Sequence, residues 1–187
     1  MPRRLRYAPT GTALHVVNRA NDKRQIFFEE NDYERFIELL IEARQHAGVQ
    51  LHAYCVMPNH FHLIAVGGHD GAVSAFMQRL TCRHSRQLRR DTASQGSGHI
   101  YQGRFWSDVI RSDRDFLQVQ RYIEANPVRA QLVDRAELWR WSSLWERESG
   151  GRALLDPSPV TLPVGWLSVV NGTANAAPQR AMGSETR

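Results

Sequence analysis

The sequence predicts an α+β fold, a ferredoxin-like antiparallel sheet with helices packed on one face and a further helix after the last strand. Two observations point to this class. Residues 54–68, YCVMPNHFHLIAVGG, contain two strand-like runs joined only by Pro58-Asn59, which is typical of a β-hairpin. Amphipathic segments flank this hairpin, so the expected order is strand, helix, strand, strand, helix, strand, helix.

The residues up to the end of the hairpin supply four of these elements. Residues 13–19, ALHVVNR, alternate between apolar and polar positions and predict the first strand. The spacing from Asn31 to Glu34 resembles a capping box, so the first helix is expected to begin there and to end at Gly48. The hairpin strands are then expected over residues 49–57 and 60–66.

The residues after the hairpin add two helices and a strand. A helix is expected over residues 72–90, followed by a loop over the polar residues 91–98. Residues 100–111, which contain YQGRFW, are expected to form the last strand. Ser112 is placed to cap the third helix, which is expected to end at Ala125 because Asn126-Pro127 disfavours α geometry.

Composition indicates one packed domain with an appendage. The chain has 187 residues, of which 42% are hydrophobic. After Gly150-Gly151 the chain is rich in Pro, Ala, Gly, Ser and Thr, so we expect a domain over residues 1–148 and a flexible or loosely docked tail over residues 149–187. No apolar run approaches the roughly 20 residues of a membrane span, and the basic N-terminus lacks an apolar signal region, so a cytoplasmic protein is expected.

The charged residues favour an anionic partner. The formal net charge is +5, and Lys23 is the only lysine among the 24 basic residues, so the others are arginines. Arginine binds phosphate groups through two parallel hydrogen bonds. Four arginines recur along one side of the second helix: Arg79, Arg83, Arg86 and Arg90. This stripe is either a phosphate-binding surface or a solvated helix face.

Two histidines on alternate positions of a strand suggest a metal site. His60 and His62 point to the same face of the second hairpin strand, where they either bind one ion or are ordinary polar side chains. Tyr122 and Asn126 are four residues apart and share one face of the third helix. Asn126 can offer a carbonyl oxygen to a metal held by the histidines, and a mixed nitrogen and oxygen site suits Mg²⁺ or Mn²⁺.

These four residues are consistent with phosphoryl transfer. A metal polarises a phosphate oxygen, and a tyrosine hydroxyl attacks the phosphorus to form a phosphotyrosine. The alternative is structural: Tyr122 is a packing residue and Asn126 terminates the helix. A histidine-triad hydrolase is excluded because Ile64 stands where a third histidine is needed, and the second His-x-Thr or His-x-Ser element of two-histidine phosphoesterases is absent.

Two long motifs identify a family. HAYCVMPNHFHLI and RYIEANPVRAQLV resemble the signatures of REP-associated tyrosine transposases, which are single-tyrosine transposases of the HUH endonuclease superfamily. Three weaker matches occur in the same order, HVVNRANDKRQIFF, IYQGRFWSDVI and WRWSSL. The resemblance covers about residues 10–148.

The resemblance implies an activity and a set of site residues. Members of the family that the chain resembles nick single-stranded DNA, leave a 5′-phosphotyrosine and a free 3′-hydroxyl, and rejoin the ends without ATP. It implies that Tyr122 is the nucleophile, that His60 and His62 bind a divalent metal, Mg²⁺ or Mn²⁺, and that Asn126 is a third ligand.

The resemblance also implies single-stranded or hairpin DNA at palindromic repeats as the substrate. The candidate DNA-binding residues are Arg3, Arg4, Arg6, Arg79, Arg83, Arg86, Arg90 and Arg104. A monomer is preferred to a homodimer. The alternative function is a non-catalytic or domesticated module that binds single-stranded nucleic acid on the same fold.

Overall fold

The structure, a computed structural model, describes residues 9–91 and 98–174. Its elements are β1 (Ala13–Arg19), α1 (Glu30–Ala47), β2 (Val49–Met57), β3 (His60–Gly67), α2 (Ala72–Asp91), β4 (Trp106–Val109), α3 (Asp113–Arg129), α4 (Ser143–Ser149) and α5 (Trp166–Ala174). Short 3₁₀ turns occur at Asn21–Lys23 and Ala136–Leu138. No helix of the described residues is both long and apolar enough to cross a membrane.

The sheet confirms the predicted fold class. Its strands lie in the order β2-β3-β1-β4, and every neighbouring pair is antiparallel. This is the strand order of a ferredoxin-like sheet. The hairpin is also confirmed, because Met57 pairs with His60 and only Pro58 and Asn59 lie between the two strands. The strand with the paired histidines, β3, is therefore central.

The two faces of the sheet are covered by different helices. On one face α1 and α2 bury the larger core, whose members include Leu14, Val16, Phe36, Phe61, Leu63 and Phe76. On the opposite face Cys55 and Ile64 pack against Phe116 and Ile123 of α3. Side chains alternate along a strand, so His60 and His62 share the face of Ile64 and look toward α3. The added helix thus covers the face that carries the histidines.

The helix ends show which local signals were decisive. Gly48 ends α1 in the left-handed conformation with φ 62°, and the Ser112 hydroxyl accepts a hydrogen bond from the Asp115 amide at 3.1 Å, as predicted. The predicted start of α1 is wrong. The capping box is made by Glu29 and Asp32, because the Asp32 carboxylate also accepts from the Phe28 amide, which fixes the chain before the helix.

The end of α3 also differs from the prediction. The helix continues through Pro127 to Arg129. Pro127 cannot donate to the carbonyl of Ile123, but the helix continues past it to the C-cap, where the Ala130 amide donates to the Asn126 carbonyl at 2.9 Å. The two turns around Pro127 pack against α5 through Ala125 and Val128. Tertiary packing therefore outweighs the local preference of the residue before proline.

The strand predicted over residues 100–111 is mostly irregular. Only Trp106–Val109 pairs as β4, and Tyr101 makes an isolated bridge with Ala20. Gln102, Gly103 and Arg104 between them are exposed, so no packing holds them in a sheet. Within the predicted loop of residues 91–98, residues 92–97 lie outside the described part of the chain.

The segment after α4 packs against the rest of the molecule. Leu154 is fully buried in the larger core, and Asp156 binds Arg44 at 2.6 Å and the Leu51 amide at 2.8 Å. Farther along, Trp166 and Val170 of α5 are buried against α3. The division into a domain of residues 1–148 and a tail of residues 149–187 remains a prediction, and residues 175–187 lie outside the described residues.

Candidate active site

The paired histidines and the helical tyrosine lie side by side in one chain. His60 and His62 project from the middle of the sheet with ring centroids 4.9 Å apart. The Tyr122 ring of α3 stands edge-on to His62, with centroids 5.6 Å apart. The structure thus brings together three of the residues that the sequence singled out.

His62 has one free coordinating atom. Its Nδ1 lies 3.1 Å from Nε2 of His15, whereas its Nε2 is buried without a hydrogen-bond partner in the structure. Burial, reinforced by the neighbouring His60, His15 and Arg19, holds the pKa of His62 well below 6.5. The ring is therefore neutral at neutral pH. An unpartnered imidazole nitrogen in a buried polar site fits a divalent metal ion.

The orientation of His60 is set by the hairpin turn. Asn59 Nδ2 donates to the Lys23 carbonyl at 2.9 Å, which directs Asn59 Oδ1 toward His60. His60 Nδ1 lies 2.6 Å from that oxygen and must carry the proton, because an amide oxygen only accepts. The lone pair of His60 is then on Nε2. Burial, with a smaller effect of Arg19, lowers the pKa of His60 to about 4.

The third predicted ligand, Asn126, lies one helical turn beyond Tyr122. Its Nδ2 donates to the Tyr122 carbonyl at 2.9 Å, so its Oδ1 is the atom left for a metal. Across residues 9–91 and 98–174, no three His, Cys, Asp or Glu side chains form a cluster that could hold a metal ion. Further ligands would have to be amide oxygens, water or phosphate. The role of Asn126 stays a prediction.

Tyr122 is flanked by a positive charge. The Arg129 guanidinium lies 5.1 Å from the centre of the Tyr122 ring, and both residues lie on the same side of α3, seven positions apart. No carboxylate of the described residues forms an ion pair with Arg129. The guanidinium is therefore available to an anion that approaches the tyrosine hydroxyl.

Sequence reasoning missed four residues of the site. His15 and Trp106 are in contact there, with ring centroids 5.4 Å apart, and Asn59 and Arg19 border His60. His15 had a weak signal, since it alternates with apolar positions of β1. Only the strand register, which pairs Val17 with His62, shows that His15 faces the histidine pair.

The arginine stripe of α2 lies on the other side of the sheet from Tyr122. Arg79 and Arg83 both bind the carboxylate of Glu42 in α1, and this pairing lowers the pKa of Glu42. Arg86 and Arg90 line a surface groove of about 1000 Å³. The structure therefore separates the stripe from the histidine and tyrosine site, and neutralises part of its charge.

The other predicted DNA-binding arginines are not brought to the site. Arg104 is exposed in the irregular segment before β4. Arg3, Arg4 and Arg6 lie outside the described residues. Their roles stay predictions.

Comparisons with known proteins place the chain in a family. The family model described as "Transposase IS200 like" matches residues 10–126. The REP-associated tyrosine transposase of Escherichia coli K12 is 27% identical over 140 residues, which cover 73% of this chain and 78% of that protein. A curated relative from Haemophilus influenzae is 28% identical over 107 residues, which cover 53% of this chain and 61% of the relative.

A solved structure has the same fold. It is described as a REP-associated tyrosine transposase bound to a REP hairpin, and it superposes with a TM-score of 0.62 at 24% identity. The match covers 86% of this chain and 93% of that one. The family model, which spans more than half of the chain, agrees with the resemblance found in the two sequence motifs. The chain belongs to the IS200-like transposase family.

Proposed function

We propose that this transposase is a metal-dependent single-stranded DNA endonuclease and strand transferase that works through a 5′-phosphotyrosine. The observation that carries the proposal is the contact between Tyr122 and His62. The ring of His62, whose Nε2 has no partner, lies beside the side chain best suited to attack phosphorus. A packing role for both residues does not account for a buried nitrogen without a partner.

The proposed reaction is an in-line displacement at a phosphodiester. The Tyr122 oxygen forms a bond to phosphorus while the bond from phosphorus to the 3′ oxygen breaks. The phenol loses its proton and the 3′ oxygen takes one up, so the products are a 5′-phosphotyrosine and a 3′-hydroxyl. No oxidant or ATP is needed, and attack by a 3′-hydroxyl reverses the step. A Mg²⁺ or Mn²⁺ ion bound by His60, His62 and Asn126 would supply charge stabilisation at the phosphate.

The side chains of the site are placed to bind the metal and the phosphate. His60 and His62 are neutral by burial, which keeps their nitrogens free to bind metal rather than protons. Arg129, over the Tyr122 ring, can bind a non-bridging phosphate oxygen. Arg19 lies opposite His60 in the β1–β3 pairing and can contact the DNA backbone at the same edge.

The substrate we propose is a DNA hairpin with a single-stranded flank. The relative of known structure is bound to a REP hairpin. A single strand is needed at Tyr122, because a duplex would keep the target phosphate away from a half-buried side chain. The groove with Arg86 and Arg90 lies behind the sheet, so it would hold a different part of the same DNA. His60, His62 and Tyr122 come together within one chain, which supports a monomer.

A cleavage assay tests the proposal. Purified protein is incubated with a 5′-labelled and a 3′-labelled hairpin from the DNA beside its own gene, with Mn²⁺, Mg²⁺ or EDTA, and the products are separated on a denaturing gel. Tyr122→Phe and His62→Ala are the test variants. Tyr33→Phe and His69→Ala are matched controls, since Tyr33 lies in the core under the opposite face and His69 is exposed.

The expected result is a metal-dependent protein–DNA adduct that both test variants abolish and both controls retain. The label should stay with the protein only when it lies on the 3′ side of the cut. Hairpin binding without any adduct in wild type, across several flanking hairpins and both metals, would contradict the nuclease and support a non-catalytic binding module.

A further inference from the structure

A third histidine, His15, lies against the metal-binding pair. It is only 4% exposed, in the middle of β1. Its ring stacks on that of His62, with centroids 5.3 Å apart and planes 20° apart, and its Nε2 faces Nδ1 of His62 at 3.1 Å. Because Nε2 is directed at His62, His15 does not offer that nitrogen to the same ion.

The hydrogen bond between the two rings allows two proton arrangements. If His15 Nε2 donates, the proton of neutral His62 must be on Nε2. That N–H would be buried without an acceptor, which is costly, and it could not bind a metal. If His62 Nδ1 donates, Nε2 of His62 carries the lone pair, and the proton of His15 moves to Nδ1. Only the second arrangement leaves no buried N–H of His62 unpaired.

The surroundings of His15 favour the second arrangement. Asp108 of β4 lies directly opposite His15 in the strand pairing, and its negative charge acts on His15. His15, Asp108 and Asp115 line a cavity of about 230 Å³ between β4 and α3. A proton on His15 Nδ1 can therefore be stabilised by the Asp108 carboxylate or by solvent in this cavity.

We infer that His15 is a positioning residue: it accepts the Nδ1 proton of His62, and so turns the Nε2 lone pair of His62 toward the metal. The inference rests on the proposed metal-dependent function. Asn59 does the same for His60, through its Oδ1. Each histidine of the pair thus has its own partner that fixes the proton on the nitrogen away from the ion. Such partners of metal-binding histidines typically change metal affinity by about 10–100-fold.

The first test reads the proton positions in the wild-type protein. A long-range proton–nitrogen correlation spectrum of the ¹⁵N-histidine-labelled full chain, without metal and with Mg²⁺, distinguishes protonated Nδ1 from protonated Nε2. We expect His62 and His15 both to carry their proton on Nδ1. A His62 ring protonated on Nε2 without metal and with Mg²⁺ would overturn the inference, whatever the variants do.

The second test measures metal affinity directly. Mn²⁺ binding is followed by calorimetry and by the loss of the free-ion paramagnetic resonance signal, without DNA. His15→Phe keeps a ring but has no acceptor, and we expect Mn²⁺ binding about 10–100-fold weaker. His15→Gln offers an amide oxygen to His62 Nδ1 and should recover much of the affinity. His84→Gln removes a buried histidine under the other face and should bind Mn²⁺ as wild type does.

The outcomes separate the inference from the proposed function. If wild type binds no Mn²⁺ and forms no adduct, the proposed function fails. If wild type binds Mn²⁺ and His15→Phe binds equally well, the inference fails and the function stands. If His15→Phe does not fold, as judged by circular dichroism, the nitrogen spectrum of wild type and the Mn²⁺ affinity of His15→Gln decide. Mn²⁺ binding by His15→Gln more than about 100-fold weaker than by wild type would overturn the acceptor role.

Discussion

A buried carboxylate holds α3, the helix that carries Tyr122, to the C-terminal segment, and its removal should destabilise the fold strongly. Glu124 of α3 is fully buried two residues after Tyr122. Its Oε1 accepts from Gln120, from Ser143 at 2.8 Å and from Arg147, and its Oε2 accepts from the Trp166 indole at 2.7 Å. This single side chain therefore joins α3, α4 and α5.

The structure gives the size of the effect for Glu124→Gln. The best placement of the new amide keeps oxygen at Oε1, which sets an NH₂ group against the indole N–H of Trp166. One buried donor is then unpaired, at about 1–3 kcal/mol, and the charge of Arg147 loses its partner. Breaking a buried ion pair costs about 3–5 kcal/mol, so we expect a loss of that order in the free energy of unfolding. For a chain of this size the melting temperature should fall by roughly 6–20 °C.

Denaturant titration and calorimetry measure this loss. Tryptophan fluorescence should report it directly, since Trp166 is one of the partners. The exposed Glu148→Gln removes the same charge from α4 and should change the free energy of unfolding by less than about 0.5 kcal/mol. If Glu124→Gln lowers the free energy of unfolding by less than about 1 kcal/mol, the reasoning is refuted. The four donors around the carboxylate would then not need it as their acceptor.

Three further predictions follow from the site and the core. Asn126→Ala should weaken Mn²⁺ binding in calorimetry, whereas Asn126→Asp, with an anionic oxygen, should retain it; equal affinity in the Ala variant would exclude Asn126 as a ligand. Arg129→Leu should slow single-turnover adduct formation at least about tenfold, with partial recovery in Arg129→Lys; an unchanged rate would show that the charge over Tyr122 is not used. Burial lowers the pKa of His84 to about 3, so the folded chain keeps His84 neutral while the unfolded chain protonates it below pH 6.5. In urea titrations, the free energy of unfolding of wild type should therefore fall relative to that of His84→Gln as the pH drops from 6.5 toward 3. The difference should change by up to about 1.4 kcal/mol per pH unit. Parallel pH profiles of the two proteins would contradict this.

Local signals were enough to predict the order of elements and the hairpin. The two-residue turn at Pro58-Asn59, the glycine at position 48 and the serine at position 112 each act within a few residues, and each has the predicted conformation. The alternation of His60 and His62 also needs no tertiary information. Because both histidines point to one face, the contact between His62 and Tyr122 could be expected once the third helix was known to cover that face.

The remaining features depend on contacts between distant parts of the chain. Helix α3 passes through Pro127 because α5 packs against it, and α5 comes from a segment whose composition predicted a loose tail. His15 joins the site through strand register, which composition does not encode. The position of the α2 arginines behind the sheet likewise follows from which face each helix covers, and this requires the assembled fold.

The presence of the histidines and the tyrosine in the same chain has a consequence for stoichiometry. On the proposed mechanism, His60, His62 and Tyr122 of one molecule act together, so the specific cleavage rate should not fall on dilution, as it would if one chain lent its tyrosine to another. With Tyr122 as the proposed nucleophile, such a molecule can hold one DNA end at a time. Exchange between two different ends would then require either two successive turnovers by one molecule or an encounter between two loaded molecules. If joining requires two loaded molecules to meet, the rate of joining should depend on the square of the protein concentration. The rate of cutting should then still depend on its first power.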